Sequence, residues 1–157
     1  MFEEKFSRWR NWHSRDELEL KRPGVYAIAY TQKNISKKLF SFRKEIVYFG
    51  MTNAVSGLKG RLTQFDNTIA GKTGHGGADR VRYVHQNYGQ LVKDLYVAVA
   101  AFECDVTSKK PEDLRTMGEV AQFEYVCLAQ YVERHVEEPE FNQAASQKYS
   151  RKIGNAP

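Results

Sequence analysis

Two short apolar runs, residues 25–30 (Val-Tyr-Ala-Ile-Ala-Tyr) and 45–49 (Glu-Ile-Val-Tyr-Phe), constrain this chain more than any other feature. The first follows Pro23-Gly24 and the second is closed by Gly50. Each is a strand by its length, by its β-branched and aromatic content and by the turn residues beside it. A polar, basic stretch over 31–44 separates them, which predicts an antiparallel pair whose connection projects as a loop or extended hairpin. A third strand is expected over 95–104. Leu58, Leu62, Phe65 and Ile69 mark one apolar face of a helix ending near Gly71. Further helices are expected over 78–88 and from Pro111 to about 136, and Phe2, Phe6 and Trp9 fall at the spacing of a short amphipathic N-terminal helix. The order predicts a small α/β (α+β) layer fold: a central, mainly antiparallel three-stranded sheet flanked by helices, one domain over 1–157.

Composition narrows the function classes. A hydrophobic content of 41% with 13% aromatic residues excludes disorder as the default state. The 24 basic residues outnumber the 19 acidic ones for a net charge of +5, which favours a polyanionic partner such as nucleic acid. Cys104 and Cys127 stand apart with no Cys-x-x-Cys spacing and read as buried small apolar residues in a reducing compartment. The charged N-terminus has no signal-peptide core, and the longest strongly apolar stretch, 95–102, is too short to span a bilayer. A cytoplasmic protein is expected. The Gly-Lys-Thr of 71–73 suggests a phosphate-binding loop, but Asp66 occupies the place of its leading glycine, which excludes that motif. The glycine-rich segment 71–77 is instead expected to be a flexible connection.

The residues that could carry chemistry are few. Glu124 lies in a nearly uncharged helical run, where an unpaired carboxylate must face solvent, a cleft or a cation. Glu119 is its competitor, although Thr116-x-x-Glu119 has the form of a capping box and would give it a structural task. Arg61 opens the amphipathic helix; taken alone it reads as a solvated cation, yet its guanidinium suits bidentate contact with phosphate. Tyr26 and Tyr48 read alone as half-buried strand tyrosines. No histidine pair has zinc-ligand spacing.

Taken together, Gly24-Val25-Tyr26, Tyr48-Phe49-Gly50, Arg61, an acidic helix and Pro139-Glu140-Phe141-Asn142 resemble the GIY-YIG nuclease family, from about residue 23 to 142. The chain looks closest to small phage endonuclease II-like and restriction-type members. The resemblance implies the GIY-YIG nuclease fold and a metal-dependent DNA endonuclease acting on double-stranded DNA, of restriction or phage host-DNA-degrading type. It implies catalytic roles for Tyr26, Tyr48, Arg61 and Glu124, with Glu124 holding magnesium, for which manganese substitutes. One tyrosine would activate or orient the attacking water while the other hydrogen-bonds beside it. Gly50 and Asn142 would support the site. Many relatives carry a lysine directly after the second motif; here Met51 stands there. Arg80 and His85 reproduce the five-residue Lys–His spacing of the endonuclease II type. DNA contacts are expected from Lys37, Lys38, Arg43, Lys72, His75 and Arg82, and from a basic tail with Lys148, Arg151 and Lys152. Double-strand cleavage would imply a homodimer or successive nicks. The rival expectation is a nucleic-acid-binding module that keeps this fold without cleaving.

Overall fold

The computed structural model describes residues 2–143. Strands β1 (Arg10–Asn11), β2 (Gly24–Tyr30), β3 (Ile46–Thr52) and β4 (Leu95–Ala101) form one sheet in the order β1-β4-β2-β3, and every neighbouring pair is antiparallel. Helices α1 (Gly57–Ile69), α2 (Gly76–Val84), the single-turn α3 (Tyr88–Leu91) and α4 (Pro111–His135) surround it, so the architecture is α+β. Among the described residues no helix is long and apolar enough to cross a membrane.

The central strands β2 and β4 are buried on both faces, which is why they read as continuous apolar runs rather than alternating ones. On one face Ala27, Ala29, Ala98 and Ala100 make a low floor. Bulky rings fill the space above it: Phe6, Trp9, Phe40 and Phe42, joined by Val120, Phe123, Cys127 and Tyr131 of α4. On the other face Tyr26, Ile28, Val97 and Val99 meet Leu58, Leu62, Phe65 and Ile69 of α1 and Ala78 and Val81 of α2. Cys127 is buried as expected, whereas Cys104 is half-exposed.

The sheet has four strands where three are expected, and the extra one comes from the N-terminal segment. Of the helix expected through Phe2, Phe6 and Trp9, Phe2–Lys5 alone is helical, as a turn of 3-10 helix; the chain then extends along β4, with Ser7 N donating to Val99 O at 2.7 Å and Arg10 pairing with Val97. A helix this short is marginal in water, whereas the edge of β4 carries backbone groups that need partners. Pairing with β4 still buries Phe6 and Trp9. The 31–44 segment does not project either. Ile35, Phe40 and Phe42 fold back into the aromatic layer, tied by Lys37 N to Trp9 O at 2.8 Å and Trp9 N to Lys38 O at 3.1 Å. The helix expected over 78–88 is two helices, because the Asn87 side chain caps a new turn by accepting from Gln90 N at 3.1 Å.

Helix α4 runs as expected, with Pro111 at its first turn beside Glu112 and Asp113, and Arg134 and His135 in its last, in accord with the helix dipole. Its N-cap position is Lys110, so Thr116 lies inside the helix and donates its hydroxyl to Glu112 O at 3.0 Å. The Thr116–Glu119 capping box is therefore absent, and Glu119 is an exposed mid-helix residue. Beyond α4, the 3-10 turn Glu140–Asn142 buries Phe141 completely and locks onto the free edge of β3. Asn142 donates Nδ2 to Phe49 O and accepts from Phe49 N, each at 2.9 Å, as a neighbouring strand would.

Asp66, which excluded a phosphate-binding loop, has a structural task. Its Oδ1 accepts from Trp12 Nε1 and from the Tyr88 hydroxyl, both at 2.8 Å, and Arg15 lies 3.6 Å from Oδ2. Three segments meet on this one carboxylate. Asp66→Ala leaves the donors of fully buried Trp12 and half-buried Tyr88 unpaired and is expected to lower unfolding free energy by about 1–3 kcal/mol. Denaturant titration measures it, and a change within about 0.5 kcal/mol, the range of ordinary surface substitutions, would remove the hub from the account of stability.

Candidate active site

The register of β2 and β3 creates the site. Tyr26 lies opposite Gly50 and Ile28 opposite Tyr48, so the two tyrosines are diagonal neighbours on one face of the sheet, ring centroids 6.0 Å apart. A Cβ on Gly50 would fall 2.3 Å from the Tyr26 hydroxyl oxygen, so only glycine leaves room for it. Tyr26 is fully buried, and Tyr48, on the edge strand, keeps 9% of its surface.

The glycine-rich connector closes over them. Gly71 and Gly74 take positive φ, but Gly76 and Gly77 belong to the first turn of α2. A Cβ on Gly77 would sit 2.5 Å from the Tyr48 ring, so α2 rests directly on that tyrosine. His75 is the N-cap of α2: its Nδ1 accepts from Ala78 N at 3.2 Å, and its Nε2 lies 2.7 Å from the Tyr26 hydroxyl. The imidazole packs edge-on against Phe65 and is 1% exposed. A surface contact with DNA is thereby replaced by a role inside the fold. The legible signal was a histidine three residues before Ala78 at a helix start, the spacing of a capping side chain.

Charge converges on the same place from both sides of the sheet. Arg61, in the second turn of α1, donates Nη1 to Gln64 Oε1 at 2.9 Å, while its Nε is buried without a partner. Glu124 of α4 is half-buried and makes no hydrogen bond or salt bridge among the described residues. Burial raises its pKa above the ordinary carboxylate value, and the Arg61 charge opposes that rise. Burial likewise drives the Tyr26 hydroxyl well above its ordinary value, with Tyr48 adding to it and Arg61 opposing. Tyr48 is raised by burial and lowered by Arg61 and Arg80. Five groups from β2, β3, α1, α2 and α4 thus act on one another.

The remaining candidates fall around or away from this cluster. Arg80 donates Nε to Phe141 O at 2.8 Å with its charge acting on Tyr48 and His75. Asn142 touches the site through the backbone of Phe49. His85 ends α2 against Tyr30 and Phe141, with ring centroids at 4.3 and 6.3 Å, and burial lowers its pKa. Met51 packs against the aromatic layer. Lys37 and Lys38 are exposed on the segment covering that opposite layer, and Arg43 pairs with Glu45 at 3.0 Å. Lys72 is exposed, while Arg82 turns in toward Ile69 O at 3.4 Å. Lys148, Arg151 and Lys152 lie outside the described residues.

Among the described residues no three His, Cys, Asp or Glu side chains converge on a metal position. A hard divalent cation can nevertheless be held by one carboxylate with phosphate and water completing its shell, and the unpaired carboxylate of Glu124 fits that demand. The chain matches no protein-family profile, no curated protein and no solved structure.

His75 makes a measurable prediction. Burial first, then the charge of Arg61, lowers its pKa from 6.5 to about 3, with Arg80 acting in the same direction. Between those values the unfolded chain binds a proton that the folded protein does not, so folding stability declines as pH falls through that window. Unfolding free energy measured across the window is expected to fall more steeply for the native chain than for His75→Asn. Equal slopes would mean that the imidazole is solvated in the folded state.

Proposed function

We propose that this protein is a metal-dependent DNA endonuclease with a site of the GIY-YIG type, hydrolysing phosphodiester bonds in double-stranded DNA. The observation that carries the reading is the convergence of Tyr26, Tyr48, Arg61 and Glu124, drawn from four separate elements, with the guanidinium Nε and the carboxylate both unpaired. Buried polar groups without partners are expensive to keep, and a phosphate with its cation would satisfy both at once.

In this reading Arg61 binds non-bridging phosphate oxygens and stabilises the negative charge that accumulates on them. One tyrosine hydroxyl orients the attacking water while the other hydrogen-bonds beside it, and Glu124 holds the divalent cation. Magnesium, or manganese in its place, would supply positive charge to the phosphate and ease departure of the leaving oxygen. Asn142 keeps β3 in register beneath the tyrosines by bonding the backbone of Phe49. Exposed Lys72, in the connector beside the site, would add a phosphate contact that gives affinity but little sequence information, whereas Lys37 and Lys38 lie over the opposite layer. One such site cuts one strand, so a double-strand break would need a homodimer or two nicks. A nucleic-acid-binding module without cleavage is the second reading; half-buried Met51, packed against the aromatic layer at a position where many family members carry lysine, favours it. Magnesium-dependent nicking of supercoiled plasmid separates the two, and its absence with both magnesium and manganese would sink the nuclease reading.

Two substitutions test the roles. Arg61→Lys keeps the charge but loses the fork, and is expected to slow cleavage by roughly 10²–10³ with DNA affinity little changed. Near-native turnover would make Arg61 a bystander. Glu124→Gln is expected to abolish nicking while melting and DNA binding stay near native, whereas Glu119→Gln, on the exposed side of α4, should cut normally. The reverse pattern in side-by-side nicking rates would move the metal ligand to Glu119.

A further inference from the structure

The tautomer of His75 follows from its two partners. The Ala78 N–H can only donate, so Nδ1, 3.2 Å away, must accept and carry no proton. In a neutral ring the proton then sits on Nε2, which donates to the Tyr26 hydroxyl oxygen at 2.7 Å. With its oxygen engaged from that side, the Tyr26 hydroxyl directs its own hydrogen elsewhere. Tyr48 is the diagonal neighbour, its ring centroid 6.0 Å from that of Tyr26; burial raises its pKa, and a hydrogen bond from Tyr26 opposes that rise only weakly. Tyr26 is fully buried, while Tyr48 keeps 9% of its surface exposed at the rim of the sheet. Of the two, only Tyr48 keeps any surface open to solvent.

We propose that His75 is a positioning residue: a neutral imidazole, locked in its Nε2–H form by the start of α2, orients the Tyr26 hydroxyl so that Tyr26 supports Tyr48 as the tyrosine in contact with the attacking water. The inference rests on the nuclease reading above and adds an order to it, from α2 through the fully buried tyrosine to the one nearer the sheet edge. The groups facing the ring keep it in this form. Tyr26 and Tyr48 come from the sheet, Arg61 from α1 and Arg80 from α2, and both arginines disfavour a positive charge on the ring.

Two variants separate capping from donation. Asparagine is a good N-cap but too short to reach Tyr26, so His75→Asn should fold normally at neutral pH and lose only the donor. Glutamine carries an amide N–H at about the reach of Nε2, so His75→Gln should restore part of the loss. In single-turnover nicking of plasmid DNA, His75→Asn is expected to slow the step roughly tenfold, the worth of one net hydrogen bond, with DNA affinity unchanged. On a Tyr26→Phe background the same substitution should cost nothing further, because the route through Tyr26 is already cut. Nitrogen NMR of the imidazole should report Nε2–H with bare Nδ1 between about pH 5 and 8, a readout that needs no DNA. A native rate in His75→Asn, an equal cost on the Tyr26→Phe background, or a proton on Nδ1 would each overturn the relay. If the native protein itself cuts no DNA, the nuclease reading fails instead, whatever the tautomer.

Discussion

The antiparallel register that sets Tyr26 against Gly50 governs everything built around it. Moving β3 by one residue would put Phe49 or Met51 under the Tyr26 ring and send Tyr48 to the aromatic layer on the other face. The register is held from both sides. Gly24 pairs with Thr52 and Ala101 at the start of β2, where a Cβ would lie 2.1 Å from Ala100 O. On the outer edge, Asn142 takes up both backbone groups of Phe49, so β3 has no freedom to slip there. The Pro-x-x-Asn ending is thus a clamp on the strand that carries Tyr48.

Placing β3 at the edge has a second consequence. In a three-layer arrangement, the helices on opposite faces are separated by the sheet. Here the sheet ends at β3, with glycine at its middle, and the carboxylate of α4 acts on the guanidinium of α1 around that margin. The central strands could not allow this, since both faces of β2 and β4 are sealed by packing. Burial makes the charges interact strongly and also disfavours the charged forms of Tyr26, Tyr48 and Glu124. Arg61 opposes all three of these shifts, which makes it the electrostatic centre of the proposed site.

The connector between α1 and α2 illustrates how composition misleads about mobility. Four glycines in seven residues suggest a flexible tether, yet two of them open helix α2, one of those two packs against Tyr48, and the histidine among them is almost wholly enclosed. Glycine at 77 lets helix backbone rest on a tyrosine ring, and that approach delivers His75 to Tyr26.

Local pattern was enough to determine the strands β2, β3 and β4, the apolar face of α1 and the length of α4, because each rests on periodicity or on turn and cap residues within a few positions. Glu124 stood out as a charge in a nearly uncharged run, whereas Tyr26, Tyr48 and Arg61 read alone as ordinary strand and helix residues and were singled out only by the resemblance of the whole motif set. Tertiary structure decided what depends on partners far along the chain. The N-terminal aromatics extend along β4 because that edge needs hydrogen bonds, and the basic 31–44 segment folds back because Ile35, Phe40 and Phe42 find the alanine floor. Glu124 and Glu119 differ by five residues, about 140° around the helix axis, and only the packing of α4 determines which one faces inward. His75 is the clearest case. Its flanking residues mark a capping position at most; burial and the bond to Tyr26 come from Tyr26, Phe65 and Arg61, which only the fold brings to it.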